Sequence, residues 1–335
     1  MTAMVDFVSV ELPAELPRII RDGTVMAIKD DGEVAWETST RLTVRGSWDA
    51  TVQVRAVSRE RLEVSGNLAK FLQGHNLFGP DNLSALIRAF LDRVQPTLWP
   101  EGMPAIDVEG GALSRVDSTS GFLLDRLADV LSWIKAAEER GVCSHRGRGV
   151  LKGEGTLVYG DATGKRAKEW QLTFYSKGLE IAKRPLPLPM MCRPDVLDFV
   201  ARLLRCEVRL RTPELKRLSL RNVGQWSPTT CEEVWRAKLD RVEFSEGVVM
   251  QSPDLSAVKP RLAIAFDAWK AGRDMRQSLK PATFYRLRRD MRQAFNVDIA
   301  IPCPRSNVVP LRRTLVAIPA QRPSWADEVA ELLAA

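Results

Sequence analysis

The sequence predicts an α+β fold in which strands dominate the first two thirds of the chain and helices dominate the last third. Residues 1–60 form short alternating segments joined by turns, a pattern typical of strands. Beyond residue 220 the apolar residues recur instead at helical spacing, at residues 232–242, 262–275 and 283–295. We therefore predict two domains, residues 1–219 and residues 220–335, with the boundary where the pattern changes.

Each remaining element follows from its own apolar pattern. Period-two alternation and turn residues predict strands at residues 6–12, 24–36 (a hairpin about Asp30, Asp31 and Gly32), 50–57, 61–67, 112–122, 156–160, 169–175 and 205–211. Helical spacing predicts helices at residues 81–94, 123–140 and 195–204, and a short helix from Ala69. A basic, glycine-rich loop is predicted at residues 143–155, an extended proline-rich connector at 184–194, and a final short segment at 307–318.

The composition is that of a globular protein with a modest basic excess. Lysine and arginine number 49 against 42 acidic residues, and the resulting net charge of +7 suits a polyanionic partner. No apolar run approaches the ~20 residues of a membrane span, and the segment around Asp6 lacks the basic start of a signal peptide. Five cysteines without a CxxC pair indicate neither a disulfide framework nor a structural zinc site. We expect a protein of a reducing cytoplasm without membrane segments.

Tyr175 is the first candidate catalytic residue, because it ends a strand-like segment and is followed almost at once by Lys177. Polar and apolar residues alternate from Glu169 to Tyr175, so one face of this strand is expected to be buried. A tyrosine hydroxyl has a pKa near ~10 and attacks a phosphodiester only when a cation or a base stabilises its phenolate. Lys177 could be that cation. The alternative, which this segment alone favours, is a structural tyrosine whose ring lies in the core.

Three predicted strands carry an acidic residue inside an apolar alternation, namely Glu63, Asp117 and Glu207. A buried carboxylate needs an arginine or a metal ion as its partner. Mg²⁺ or Mn²⁺ would suit a reaction on a phosphodiester, since hard cations bind carboxylates and polarise phosphate oxygens. The alternative is an ion pair, because Arg115 and Arg205 precede Asp117 and Glu207 by two residues on the same faces.

Basic residues concentrate in a segment that could contact DNA. Residues 275–295 have the outline of a helix-turn-helix, whose second helix carries Arg286, Arg288, Arg289 and Arg292. A solvated amphipathic helix is the alternative, and it is compatible with DNA contact because the apolar stripe would face inward. The two histidines, His75 and His145, form no metal-binding pair, so each is expected to be a hydrogen-bonding or phosphate-contacting residue.

Several segments taken together resemble the gene II proteins, which are the replication initiators of filamentous bacteriophages. In chain order the resemblance is carried by MVDFVSVEL, AKFLQGHNLFG, LSRVDSTSGF, LTFYSKGLE, LLRCEVRLRTPELKRL, FYRLRRDM, NVVPL and QRPSW. The strings AKFLQGHNLFG, NVVPL and QRPSW are the specific ones. The resemblance spans almost the whole chain.

The resemblance implies a fold like that of the HUH endonucleases, an antiparallel sheet with flanking helices followed by a helical C-terminal region. It also implies an enzyme that nicks one strand of supercoiled replicative-form DNA at its origin. In that family a tyrosine becomes joined to the 5′ phosphate, the 3′ hydroxyl primes rolling-circle synthesis, and the displaced strand is rejoined into a circle. Tyr175 matches the nucleophile. Lys177 matches a lysine that would orient or stabilise the phenolate and the scissile phosphate.

A divalent metal ion is also implied, although the chain departs from the His-hydrophobic-His pair with which HUH enzymes hold it. His75 stands alone in its segment. We therefore expect a carboxylate-rich site for Mg²⁺ or Mn²⁺. Asp117 and Glu207 are its first candidate ligands, His75 and Glu63 the second, and Asp6 the last.

The basic loop is expected to hold the nicked strand through Arg146, Arg148 and Lys152. The expected partners are the supercoiled origin DNA and its single-stranded product, with host helicase and DNA polymerase, in the cytoplasm of the bacterial host. A DNA-binding regulator without cleavage, or a plasmid-type initiator or relaxase, is the alternative.

Only Tyr159 and Tyr285 remain as further tyrosines, and neither lies in a paired motif with Tyr175. We therefore expect one active tyrosine per chain. A homodimer could supply a second nucleophile.

Overall fold

One large antiparallel sheet organises the fold, as seen in a computed structural model that describes residues 3–160, 169–244, 259–295, 297–301, 303 and 320–334. The predicted segment at residues 307–318 lies outside these ranges. The strands are β1 (Met4–Glu15), β2 (Thr24–Ile28), β3 (Val34–Ser39), β4 (Leu42–Arg45), β5 (Thr51–Ser58), β6 (Arg61–Gly66), β7 (Ala105–Ile106), β8 (Ala112–Leu123), β9 (Gly141–Cys143), β10 (Gly147–Arg148), β11 (Val150–Leu151), β12 (Thr156–Tyr159), β13 (Trp170–Ser176), β14 (Leu203–Arg211) and β15 (Val242–Phe244).

Helices follow the strands and dominate the end of the chain. They are α1 (Leu68–Gln73), α2 (Leu83–Leu98), α3 (Leu127–Arg140), α4 (Lys177–Lys183), α5 (Leu188–Met191), α6 (Pro194–Arg202), α7 (Thr212–Arg217), α8 (Thr230–Leu239), α9 (Pro260–Lys270), α10 (Met275–Ser278), α11 (Pro281–Phe295) and α12 (Ala326–Ala334). Asn67 and Asn82 cap α1 and α2, because each amide oxygen accepts a backbone N–H of the first turn. Within the described ranges, the helices are too short or too polar to cross a membrane.

The large sheet has the strand order β11-β12-β13-β14-β8-β1-β6-β5-β4, and β7 pairs with β1. All its pairings are antiparallel, which confirms the predicted α+β class with a large antiparallel sheet. The predicted hairpin about Gly32 forms the separate pair β2-β3, and β10-β9-β15 form a third, small sheet.

Side-chain alternation gives the large sheet one apolar face and one polar face. Residues such as Phe174 on β13 and Val208 on β14 face a core to which α1, α2, α3 and α8 contribute. The rings of Phe174 and Trp133 on α3 lie 4.9 Å apart, and the indole of Trp235 on α8 donates to the Cys206 carbonyl of β14. Helices therefore cover the apolar face, which leaves the opposite face for polar side chains.

Two smaller cores lie outside this layer. One joins the loop residue Phe78 and Phe199 of α6 to Trp325 and Val329 at the chain end, so α12 packs against elements of the N-terminal region. The other is formed among α9, α10 and α11. The boundary near residue 220 stays a prediction, although α8 beyond it shares the core of the large sheet.

Three local predictions were wrong, and some elements were not predicted. The proline-rich connector contains α5, because proline is tolerated in the first turn of a helix. The basic loop contains β9, β10 and β11 rather than irregular chain. The helix predicted from residue 123 begins at Leu127, because β8 continues through Leu123 beside β14. Residues 326–334 form α12, which the apolar pattern did not identify.

Replacing Phe174 with alanine should lower the free energy of unfolding by about 3–5 kcal/mol, because the ring is fully buried against Trp133 and Tyr159. Chemical denaturation monitored by circular dichroism measures the change. Tyr285→Ala is the control, since that ring is 54% exposed, and its expected effect is below about 1 kcal/mol. An equal loss in the two variants would contradict the proposed core.

Candidate active site

Tyr175 lies on the polar face of the sheet, at the end of β13. Its neighbour Phe174 is the aromatic residue that enters the large apolar core, whereas the Tyr175 hydroxyl is buried on the polar face beside Arg205. The Tyr175 side chain is partly exposed and lines a cavity of about 550 Å³ between the β11–β12 turn and α4. The residue thus has a fixed strand position and borders this cavity, while its hydroxyl is buried.

Arg205 faces Tyr175 directly across the β13–β14 pair and is fully buried. Its Nη1 donates to the Leu77 carbonyl at 2.9 Å, which fixes the guanidinium beneath the loop that carries His75. Burial raises the pKa of the Tyr175 phenol well above its usual value, and the Arg205 charge opposes that rise. The sequence suggested that Arg205 pairs with Glu207, but the strand register places it beside the tyrosine.

Lys177 is the first residue of α4, where Ser176 caps the helix through its hydroxyl. The strand ends at Ser176, and the chain turns into a helix at Lys177. Its buried ammonium donates to Asn76 Oδ1 at 2.8 Å and to Glu180 Oε2 at 2.7 Å, and burial lowers its pKa. Its assignment as a catalytic residue stays a prediction.

Asp6 is brought into the site by a β-bulge in β1. Between Val5 and Phe7 the register against β8 shifts, so Asp6 and Phe7 both face the polar side near Asp117. The Asp6 carboxylate accepts hydrogen bonds from the amides of Asn67 and Asn76. Strict alternation would place these two adjacent residues on opposite faces, so the sequence pattern alone does not show this arrangement.

Thr119 completes the surroundings of Asp6 by donating to its second carboxylate oxygen, at 3.4 Å. All these partners are neutral. Asp6 is only 5% exposed and has no ion-pair partner among the described residues. It is therefore a buried carboxylate held by neutral hydrogen-bond donors, and the charges of Lys177 and Arg205 act on it without a direct ion pair.

Asp117 and Glu207 lie next to Asp6 on the same face and share arginine partners. Arg115 Nε donates to Asp117 at 2.8 Å, so the ion pair suggested for Asp117 is confirmed. Arg209 binds Asp117 at 3.3 Å and Glu207 at 3.0 Å. Burial is the largest cause that raises the pKa of Glu207 to about 8, and the charges of Asp117 and Asp6 add to it. The structure thus assembles three carboxylates, of which Glu207 holds its proton near neutral pH.

His75 lies near this cluster, buried to 2% exposure. Burial, followed by the charge of Lys177, lowers its pKa to about 4, so the ring is neutral at physiological pH. The ring Nδ1 accepts the Leu77 N–H at 3.4 Å. His75 therefore helps to shape the loop whose Asn76 holds Asp6.

Glu63 is not brought together with the other candidate ligands. It lies on β6, three strands from Glu207 of β14 in the sheet order, which is roughly 14 Å at usual strand spacing. Its carboxylate is held by Arg41 and by Arg55, whose Nε lies 2.5 Å away. Across the described part of the chain, no three acidic, histidine or cysteine side chains stand close enough to share a metal ion.

The arginines predicted to contact DNA are largely engaged in internal contacts. Arg146 pairs with Glu169 and stacks over Trp170, and Arg148 contacts Gly272 and Asp274 of the C-terminal helical segment. Lys152 instead lines the cavity beside Tyr175.

Most of the arginines of α11 are also engaged in ion pairs within the protein. Arg288 and Arg292 both bind Asp298, and Arg289 lies 3.5 Å from Asp290. Arg286 is exposed and borders an apolar groove between α9, α10 and α11. DNA contact by these residues stays a prediction.

Comparison with known proteins places the chain in a family. Sequence models of the phage replication-associated protein encoded by gene II match it over residues 4–229 for the N-terminal part and residues 259–331 for the C-terminal part. The chain belongs to the gene II protein family. This membership confirms the resemblance seen in the sequence, and the ranges matched by the family include Tyr175, the acidic cluster and the strings NVVPL and QRPSW.

Two gene II relatives illustrate the similarity. The replication-associated protein of Enterobacteria phage I2-2 is 32% identical over 342 residues, which cover 97% of each chain. That of Enterobacteria phage M13 is 25% identical over 181 residues, which cover 48% of this chain and 42% of the relative.

Replacing Glu207 with glutamine should raise the melting temperature at about pH 9 and change it little at about pH 5. The pKa of Glu207 rises from 4.5 unfolded to about 8 folded, so the folded chain keeps this proton and loses stability as pH rises through that window. Thermal unfolding at the two pH values measures the difference.

Glu233→Gln is the matched control, because Glu233 is exposed on α8. Its effect should be small at both pH values. A Glu207→Gln effect of equal size at the two pH values would argue against a protonated, repelled carboxyl in the cluster.

Proposed function

We propose that the chain is a replication initiator that nicks the viral strand of double-stranded replicative-form DNA at the origin, and later rejoins the displaced strand into a circle. Both reactions would use a 5′-phosphotyrosyl intermediate on Tyr175. Membership in a family of phage replication-associated proteins supports the DNA substrate. The observation that carries the chemistry is a tyrosine that borders an open cavity, opposite a buried arginine and beside buried acids. The antiparallel sheet with helices on its apolar face supports an HUH-like fold.

The proposed reaction is an in-line exchange of two phosphate esters. The Tyr175 oxygen bonds to phosphorus, the bond from phosphorus to the 3′ oxygen breaks, and the 3′ oxygen leaves with a proton as a hydroxyl. The phosphotyrosyl ester keeps the energy of the broken bond. Rejoining is therefore the same exchange in reverse, with a 3′ hydroxyl as the attacking group.

Arg205 and Glu207 are assigned the two tasks that this exchange requires of the protein. The charge of Arg205 lowers the cost of forming the phenolate in a site where burial raises it. The ionised form of Glu207 would accept the phenol proton, and a pKa of about 8 makes that form available slightly above neutral pH, although its charge also raises the pKa of Tyr175. The acidic cluster is thus the proposed acceptor of the phenol proton.

Lys177 is assigned a positioning role rather than direct contact with the phenolate. Its ammonium holds Asn76 Oδ1, and the Asn76 amide in turn donates to Asp6 at 2.9 Å. The chain Lys177–Asn76–Asp6 therefore fixes the carboxylate that the β-bulge brings into the site.

A divalent cation, Mg²⁺ or Mn²⁺, is part of the proposal. Magnesium is usually bound by one or two carboxylates together with phosphate oxygens and waters, so a preassembled trio of protein ligands is not required. Asp6 would hold it, since Asp117 is already bound by two arginines, and Glu207, which is bound by Arg209, is assigned the proton transfer. When bound, the cation would polarise the scissile phosphate.

The structure supports a single active tyrosine in each chain. Tyr159 is fully buried and donates to the Ala137 carbonyl at 3.0 Å, and Tyr285 lies on α11. A second nucleophile, if one is needed, would come from another copy of the chain. The proposal places the protein in the cytoplasm of the bacterial host, where host helicase and DNA polymerase would extend the 3′ end.

Tyr175→Phe should abolish nicking of a supercoiled origin plasmid, with a loss of roughly 10³-fold or more, because the variant lacks the attacking oxygen. Gel separation of nicked from supercoiled plasmid measures the rate. Mass spectrometry of the digested wild-type protein should find a nucleotide adduct on Tyr175. Tyr285→Phe is the matched control and should nick normally. Nicking by Tyr175→Phe, or an adduct on another side chain, would refute the assignment.

Arg205→Gln should slow nicking near neutral pH by about 10- to 10³-fold and move the rise of its pH profile to higher pH. The reason is that the Arg205 charge lowers the pKa of Tyr175, so its removal raises that pKa further. Arg205→Lys keeps the charge and should recover part of the rate. An unchanged pH profile in a folded Arg205→Gln variant would exclude this role.

A further inference from the structure

The cavity beside Tyr175 contains a group of cations that the reaction itself does not use. It is bounded on one side by the β11–β12 turn and on the other by α4 and the residue after it. Lys152 stands on the first wall, and Lys183 and Arg184 stand on the second. All three side chains are exposed, and none has an ion-pair partner among the residues that the structure describes.

The charge balance of this cavity is positive. Its two acids are Glu154 and Glu180, and Glu180 is already bound by Lys177 at 2.7 Å. Among the described residues that line the cavity, Glu154 therefore stands as one uncompensated acid against three cations. The arginines of α11 and of the β9–β10 region differ from these cavity cations, because Asp298, Asp274 and Glu169 neutralise most of their charge through ion pairs.

The walls are held at a fixed distance from the tyrosine. The Ser176 N–H donates to the Gly155 carbonyl at 2.9 Å, and the Lys152 N–H donates to the Thr156 carbonyl at 2.8 Å. The turn that carries Lys152 is thereby tied to the residue next to Tyr175. Gly155 allows the close approach, because a Cβ there would lie 2.6 Å from Leu179 Cδ1 on α4.

We infer that this cavity binds the backbone of single-stranded DNA next to the scissile phosphate, with Lys152, Lys183 and Arg184 as its phosphate contacts. The inference rests on the proposed function, because it takes Tyr175 as the residue that the strand must reach. The volume of about 550 Å³ lies in the range of small-molecule sites, roughly 300–1,000 Å³, so it admits a stretch of one strand but not a duplex. Positive grooves that follow the backbone are the usual means of binding single strands.

The test measures binding without cleavage. In a Tyr175→Phe background, the triple variant Lys152→Ala, Lys183→Ala, Arg184→Ala is titrated against a fluorescent oligothymidylate, and anisotropy gives the binding constant at several salt concentrations. Each lost phosphate contact reduces the magnitude of the slope of log K against log salt by about 0.7. The slope of the triple variant should therefore be smaller in magnitude by about 2. Because no nicking is required, failure of the proposed chemistry would leave this measurement readable.

The matched control carries Arg45→Ala, Lys135→Ala and Lys216→Ala in the same background. It removes the same charge from exposed positions on β4, α3 and α7, away from the cavity. Its slope should stay close to that of the parent chain. Equal slopes in the two triple variants would overturn the inference, because the effect would then come from net charge alone.

A blunt duplex of the same length separates single-strand binding from general backbone binding. Duplex affinity should fall much less than oligothymidylate affinity in the cavity variant. An equal or larger loss for the duplex would overturn the assignment to a single strand. Circular dichroism of each variant checks folding, which exposed lysine and arginine replacements are expected to preserve.

Discussion

The register between β13 and β14 is the constraint on which the rest of the structure depends. It sets Tyr175 opposite Arg205 and Phe174 opposite Cys206, so one aromatic residue enters the core and the next faces the polar side. A slip of one residue would exchange the two faces along the whole strand. The packing of Phe174 against Trp133 opposes such a slip, because the slip would remove the Phe174 ring from the apolar core and place the Tyr175 phenol there. The same strand register therefore determines both the packing of the core and the position of Tyr175.

Buried charged side chains are concentrated on the polar face of the sheet, and its acidic residues differ in the partners that hold them. Asp117 is held by two arginines, whereas Asp6 is held by amides and a hydroxyl. Burying carboxylates near one another is costly unless each is paired or protonated. Glu207 meets this condition in part by holding its proton, as its raised pKa shows. Glu207, which holds a proton, is suited to proton transfer. Asp6, which has no ion-pair partner among the described residues, is suited to cation binding. These two properties are the basis of the function proposed above.

The distribution of basic residues differs from what their density in the sequence suggests. The richest arginine segment lies on α11, but Asp298 binds two of its arginines and Asp290 lies close to a third. Three isolated basic residues around the Tyr175 cavity keep their charges unpaired within the described ranges. Local density records how many cations a segment has, whereas electrostatic attraction of a phosphate depends on the charge left after internal ion pairs are formed.

The sequence by itself determined the longer strands of the large sheet, several of the helices and the polar face of β13, because alternation and helical spacing are local properties of the chain. It also indicated the protein family, through short sequence strings spread from residue 4 to residue 325. Tertiary structure alone decided that Arg205 faces Tyr175, that a bulge brings Asp6 into the site, and that Glu63 lies apart. The physical reason is that partners far apart in sequence are chosen by strand order and register, and one inserted residue changes the face that a side chain occupies.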